Sequence, residues 1–333
     1  MNCMNPATIR RAAFVVGAPR CGTTTMSTLL KQHPDVCFSR PKEPHFFSRY
    51  DFNDLGDREL RDVASRYVKR FYDPKPGQRM LAEASPTYLY LPEQMKPILR
   101  IWPDARFIIN VRNPVDMLPS LHARLLVTGD ENIRDFATAW SVTPERAEGR
   151  RIPRSCIEPR WLRYDLAAAF GTQVAAFWEA VGRERCHIVV FDDLARDPKG
   201  TYDEVCNFLG LAPHARTEFR AERSHREVRI PGLQRLLNRP PLFLEAMLAS
   251  DQFLRRDGKR SRLRDYPIVQ GILKARRAIL RWNEVEAPRE PLDPSLKAEI
   301  IHRYHDEVER LGRFIHRDLS DWLEHAPRKE LAA

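Results

Sequence analysis

At residues 14–25 the chain reads FVVGAPRCGTTT. The segment Ala12–Val16 is apolar without polar alternation, as a parallel strand covered on both faces requires. Gly17 and Pro19 then make a turn, and Thr24–Gln32 predicts a helix with Met26, Leu29 and Leu30 on one side and a stop at His33-Pro34. A buried strand, a glycine turn and a helix in that order commit the chain to an α/β architecture.

The turn itself has a chemical meaning. Gly17-x-x-x-x-Gly22-Thr23-Thr24 has the frame of a phosphate-binding loop, with Thr23 where that loop carries lysine. Backbone N–H groups in such a turn converge on an anion, and the positive end of the following helix adds to them. We therefore expect Arg20, Cys21, Gly22, Thr23, Thr24 and Thr25 to form an anion site, Gly22 for close backbone approach, Arg20 and the threonines for charge and hydroxyls. The plain alternative is a tight turn whose threonines cap the helix. In nucleoside triphosphatases the lysine reaches the β- and γ-phosphates, so its absence argues for a ligand with one phosphate at the 5′ position.

The rest of the chain extends the α/β pattern. Glu59–Phe71 reads as a helix, Arg79–Glu83 as a short strand, Pro92–Arg100 as a short helix and Arg106–Val111 as a second buried strand. Segment 127–160 is charged and irregular, an insertion or lid. Asp165–Val181 reads as one long amphipathic helix and His187–Phe191 as a third buried strand. Leu296, Ile300, Tyr304, Val308, Leu311 and Ile315 recur every three or four residues, the stripe of a closing helix. The expected fold is α/β, a P-loop-like three-layer arrangement with a central, mostly parallel sheet flanked by helices. We expect one domain over 1–333, with a nucleotide-binding core at 12–213 and a C-terminal helical part at 214–333 closing the site.

Charge and cysteines bound the partners. A net charge of +10 favours an anionic partner without choosing among nucleotide, acidic glycan, nucleic acid and membrane surface. The six cysteines show no CxxC pair and no metal-ligand spacing, so we expect reduced thiols, no metal site and a cytoplasmic protein. The run after Arg10 and Arg11 is too short for a secretion signal, and nothing approaches the ~20 apolar residues of a membrane-spanning helix.

VVGAPRCGTTTM resembles the first signature of the sulfotransferases that use 3′-phosphoadenylyl sulfate (PAPS), where a strand, a Gly-Thr-Thr loop and a helix bind the 5′-phosphosulfate. Many members carry lysine where this chain has Arg20, which keeps the charge but changes its geometry. FIINVRNPVDMLPSLHARL is similar to the second signature, in which an arginine and a serine hold the 3′-phosphate; Arg112 and Ser120 occupy those places, with Met117 where a further basic residue is often found. Two signatures in the right order are far more specific than either alone. The similarity continues through KEPHFF, EASPTYLY, FDDLARDPKGTYDEVCNFLGL and PLDPSLKAEIIHRYHDEVERL, weakest at 127–160 and 214–290.

The resemblance implies in-line transfer of sulfuryl from PAPS, releasing adenosine 3′,5′-bisphosphate (PAP), to a hydroxyl or amine of a carbohydrate, small-metabolite or lipid-linked acceptor, with no metal required. It implies Glu43 as the base, since glycan sulfotransferases with a similar KEPHFF string use that glutamate. His45 is the competitor. Arg20 would stabilise charge on the 5′-phosphate oxygen, and Lys42 could assist or simply be solvated. Glu83, Ser85 and Tyr88 match a segment lining the acceptor cleft; Ala84, where glycan-directed members often have lysine, argues against a strongly sulfated acceptor. Ser224-His225-Arg226 could belong to a loop closing over the nucleotide.

Two rival readings stand beside this one. HIVVFDD at 187–193 could pass for the magnesium-binding strand of a kinase, with Asp192 or Asp193 on the metal. A non-catalytic basic module is the other: RRDGKRSRLRDY at 255–266 and IVQGILKARRAILRW at 268–282 could contact nucleic acid or make a peripheral contact with an anionic membrane. No nucleic acid partner is expected under the sulfotransferase reading, and the oligomeric state is left open.

Overall fold

A computed structural model describes residues 9, 11–214, 218, 226–238, 266–286 and 291–324. In chain order the longer elements are β1 (Arg11–Gly17), α1 (Thr23–Gln32), β2 (Val36–Phe38), α2 (Asp57–Phe71), β3 (Met80–Ala84), β4 (Arg106–Val111), α3 (Pro114–Thr128), α4 (Phe170–Val181), β5 (Cys186–Val190), α5 (Pro198–Leu209), β6 (Arg226–Val228), α6 (Pro231–Asn238), α7 (Pro267–Asn283), β7 (Glu284–Glu286) and α8 (Pro294–Ile315). The chain packs as two units, residues 1–112 with 172–223, and 113–171 with 224–333. Segment 113–171, read from sequence as part of a 12–213 core, thus groups with the C-terminal residues.

The first unit is built on five parallel strands in the order β2-β3-β1-β4-β5. β1 lies in the middle because both of its faces are apolar. Phe14 stacks on Phe107 with centroids 5.7 Å apart and meets Phe47 edge-on, while Ala13 and Val15 join Met26, Leu29, Leu30 and Ile108 in the opposite core. The chain leaves β1 toward β2 and β3 on one side and later adds β4 and β5 on the other. Ligands of open parallel sheets bind at the carboxyl ends of strands where the order reverses in this way. The β1–β4 register shifts between Val15 and Gly17, and the Ala18 N–H donates to the Asn110 carbonyl at 2.6 Å. β2 went unread in the sequence because VCF is too short to show a period.

In the second unit the segment expected to be irregular, 127–160, is ordered by a buried charge pair. Arg146 Nη1 lies 2.8 Å from Glu131 Oε2, both side chains closed to solvent. Glu131 also accepts from the Tyr164 hydroxyl at 3.0 Å and from the backbone N–H groups of Asn132 and Ile133. Short helices Phe136–Ser141 and Thr143–Ala147 form around this pair. The helix predicted over Asp165–Val181 is two helices, Tyr164–Ala167 and α4, because the Ala168 N–H bonds the Tyr304 hydroxyl at 3.3 Å instead of continuing the helical ladder. α8 buries Leu296, Ile300, Tyr304, Val308 and Leu311 as expected, with Asp293 capping its start through the N–H groups of Ser295 and Leu296.

Candidate active site

The loop after β1 is shaped by backbone the sequence permits at few positions. Gly22 has φ +84°, in the left-handed region that glycine tolerates, and caps α1 with no side-chain hydrogen bond to the first-turn N–H groups. A Cβ there would come within 2.8 Å of Leu194 and 3.0 Å of Phe191. Arg20 is also left-handed, at φ +65°, a conformation that costs an ordinary residue energy and tends to mark functional turns. Cys21 is fully buried, and burial, only partly offset by Arg112 and the Ala18 backbone, pushes its thiol up to about 12. Its expected part in the anion site is therefore confined to its backbone.

A second segment, from Ser39 to Phe47, runs beside the carboxyl end of β3. The Lys42 carbonyl accepts from the Ala84 N–H at 3.1 Å and the Ser39 hydroxyl at 3.2 Å. The His45 N–H donates to Ser85 Oγ at 3.0 Å, and the Phe47 N–H to the Tyr88 hydroxyl at 3.2 Å. These anchors bring Lys42, Glu43 and His45 to the first turn of α1. Lys42 Nζ lies 2.9 Å from Thr24 Oγ1 and 2.8 Å from Glu43 Oε1. His45 Nε2 lies 3.5 Å from Glu43 Oε2, and its Nδ1 is 2.9 Å from Thr87 Oγ1.

The electrostatics follow from this wiring. Burial acts to raise the Glu43 carboxyl, but its bond to His45 and the charge of Lys42 outweigh it and hold the group at about 2. Glu43 is therefore an ionised acceptor at working pH, with 29% of its side chain open to solvent. Glu83 behaves oppositely. It is closed to solvent, and burial, opposed by the hydroxyls of Tyr67, Tyr88 and Ser85, raises it to about 7. Tyr67 donates to Glu83 Oε2 at 2.6 Å.

Glu83, Ser85 and Tyr88, expected to line the acceptor cleft, are all wholly buried. Ser85 and Tyr88 act as supports that fix the backbone of His45 and Phe47, while Glu83 accepts from the Tyr67 hydroxyl behind them. Lys42, expected to assist or stand in solvent, links α1 to Glu43.

Arg112 follows the last residue of β4. Its guanidinium lies 4.2 Å from the centroid of the Phe191 ring, Nη1 donates to the Arg20 carbonyl at 3.3 Å, and Nε is buried with no hydrogen-bond partner. A part-buried guanidinium whose Nε is unpaired, beside an uncapped helix start, fits a phosphate-bearing ligand. Ser120 is a buried residue of α3 in the second unit, as is Met117. Thr87 and Phe191 were not singled out from sequence: Thr87 lay inside the quoted ASPTYLY string, and Phe191 read as the last apolar residue of a strand.

The acids of the kinase reading stand in the first turn of a short helix, Phe191–Arg196, where Asp193 pairs with Arg196. Among the described residues the one grouping of metal-ligand type, His305, Asp306 and Glu309, is exposed on α8. Ser224 and His225, and the basic stretch 255–265, lie outside the described residues.

Comparison with known proteins agrees with this geometry. The model of the Sulfotransferase family matches residues 12–61 and 39–215. Heparan sulfate glucosamine 3-O-sulfotransferase 6 of Mus musculus is 30% identical over 210 residues, covering 60% of this chain and 52% of that protein. Carbohydrate sulfotransferase 15 of Mus musculus is 24% identical over 245 residues, covering 60% of this chain and 44% of that one. The chain thus spans about half the length of the curated relatives it matches. The solved structure of a sulfotransferase from Alicyclobacillus acidocaldarius superposes with a TM-score of 0.61 at 26% identity, covering 95% of this chain and 99% of that one.

Proposed function

Because the chain belongs to the sulfotransferase family, we propose that it moves the sulfuryl group of PAPS to a hydroxyl or amine of a carbohydrate or small-molecule acceptor, with Glu43 as the base. One observation carries this reading: Lys42 Nζ joins Thr24 Oγ1 of the anion loop to Glu43 Oε1. A single cation therefore couples the element suited to the donor's 5′-phosphate with the carboxylate suited to the acceptor's proton. The names of the matched relatives, a heparan sulfate and a carbohydrate sulfotransferase, support a carbohydrate acceptor.

PAPS supplies an activated SO3 unit on a phosphate leaving group. The first-turn N–H groups of α1, the hydroxyls of Thr23, Thr24 and Thr25, and Arg20 would hold the 5′-phosphate and offset charge gathering on it. Arg112, its face packed on Phe191, would take the 3′-phosphate on its open edge; Ser120 keeps that assignment on the resemblance alone. Glu43 accepts the acceptor's proton, and His45, set by Thr87, orients the carboxylate. Sulfuryl transfer moves less charge than phosphoryl transfer, so positioning and neutralisation by these residues supply most of the catalysis.

The test is a labelled-PAPS screen over glycans, lipids and phenols, with mass spectrometry of products. A sulfated carbohydrate is the expected result. Calorimetry showing uptake of magnesium ATP and none of PAP would overturn the reading in favour of a kinase.

A further inference from the structure

Seven of the ten large apolar side chains that stand exposed among the described residues lie between 230 and 282, in the second unit. Four of them, Ile268, Ile272, Ile279 and Trp282, recur at spacings of four, seven and three along α7, so they share one face. Ile268 is 79% exposed and Trp282 56%.

This face is not outward through a loose rotation. α7 is pinned by a different stripe, Val269, Arg276 and Asn283, which is buried. Arg276 Nε donates to the Leu237 carbonyl at 2.8 Å. Asn283 Oδ1 accepts from the Ile230 N–H at 2.9 Å, and its Nδ2 donates to Gln234 Oε1 at 2.9 Å. Turning the isoleucines inward would break these buried polar bonds. The helix thus holds to the protein through one side, where Val269 packs beside these polar groups, and offers a second, apolar stripe to the outside.

The chemistry of the rest of the helix selects the partner. Lys274, Arg277 and Arg281 are exposed on the side of the helix away from that stripe, the polar face of an in-plane helix, and PIVQGILKARRAILRWN contains no carboxylate. Arg229 lies over the Trp282 ring at 5.5 Å, and Tyr266 stands exposed at the other end. An apolar stripe with long cationic side chains and an aromatic residue at each end matches a bilayer surface with hydrocarbon beneath negative headgroups. A nucleic acid would satisfy the cations but leave the isoleucines wet. A second copy of α7 would set like charges near one another. No described helix is long and apolar enough to cross a membrane, so the contact is one of lying on the surface.

We propose that α7 is a docking surface for anionic lipid, with Ile268, Ile272, Ile279 and Trp282 at the headgroup–acyl boundary and Lys274, Arg277 and Arg281 among the headgroups. This does not depend on the sulfuryl-transfer reading.

The full chain is to be sedimented with phosphatidylcholine vesicles with and without about a quarter phosphatidylglycerol. Binding is expected to the anionic vesicles, weakening as salt rises. It should fall about tenfold or more in the double variant Ile272→Asp/Ile279→Asp, and similarly in Lys274→Gln/Arg277→Gln/Arg281→Gln. These positions are exposed, and circular dichroism together with an unchanged thermal unfolding midpoint checks the fold. Equal sedimentation of the parent and Ile272→Asp/Ile279→Asp overturns the proposal. So does binding to duplex DNA without binding to vesicles, or a dimer in ultracentrifugation that the aspartates abolish while no vesicle binding is seen.

Discussion

The guanidinium carbon of Arg112 lies over the ring of Phe191, 4.2 Å from its centroid, while its Nη1 reaches the carbonyl of Arg20. The ring holds the face of the fork, and the backbone bond orients one arm, so the remaining edge is set before any ligand arrives. Lysine could keep the charge but neither the stacking nor the fork. Arg112→Ala should weaken PAP binding about a hundredfold, the scale of a lost charge-assisted pair. Arg112→Lys and Phe191→Leu should each cost about tenfold or less. Isothermal titration with PAP measures all three.

Glu43→Gln removes the proposed proton acceptor but leaves the loop and Arg112 untouched. We expect turnover to fall by about a hundredfold to ten-thousandfold, with PAP affinity held within about threefold. Steady-state kinetics beside titration separates the two effects. If turnover survives in this variant and is lost in His45→Ala, the base is His45.

Lys42 is among the groups that keep Glu43 at about 2. In the parent protein Glu43 is ionised down to about that pH, so with Glu43 as the proposed base the acidic limb lies far below neutrality. Replacing the cation by Met should let the carboxyl rise toward its ordinary value of 4.5, only in part because His45 still bonds it. The acidic limb of the kcat/KM profile, which reports groups of the free enzyme, should therefore move to higher pH in Lys42→Met, read from rates across the acid range.

Glu83 titrates the other way. Burial raises it from 4.5 to about 7, so the folded protein holds this proton more tightly than the unfolded chain does. Its contribution to stability is complete below about pH 4.5 and is lost as pH rises through about 7. Glu83→Gln keeps an acceptor for Tyr67 but does not titrate. Thermal unfolding midpoints should decline less between about pH 5 and pH 8 in this variant than in the parent.

The pair of Glu131 and Arg146 is sealed from water, so removing one member strands the other. Arg146→Met should destabilise the protein by about 3–5 kcal/mol in urea unfolding. The variant carrying both Arg146→Met and Glu131→Leu should recover most of that loss, because no charge is then left unpaired.

Much of this molecule can be read along the chain where the signal is local. Ala12–Val16 declares a doubly covered strand, and Gly17 with Pro19 declares a turn before a helix. The apolar stripe of α8 follows a simple period. What escaped is what tertiary contact decides. The Tyr304 hydroxyl ends a helix at Ala168, far earlier in the chain, and Glu131 organises a segment whose composition looks like a solvated loop.

The same division runs through the site. The order of residues alone determined that a glycine-and-threonine loop follows β1, that an arginine follows β4, and that Lys42, Glu43 and His45 travel together. Only the folded structure decided that Lys42 spans from Thr24 to Glu43, that Thr87 and Phe191 hold His45 and Arg112, and that Glu83, Ser85 and Tyr88 face inward. The reason is physical: residue type and spacing set which groups exist, whereas ionisation and orientation depend on desolvation and on neighbours that only folding brings near.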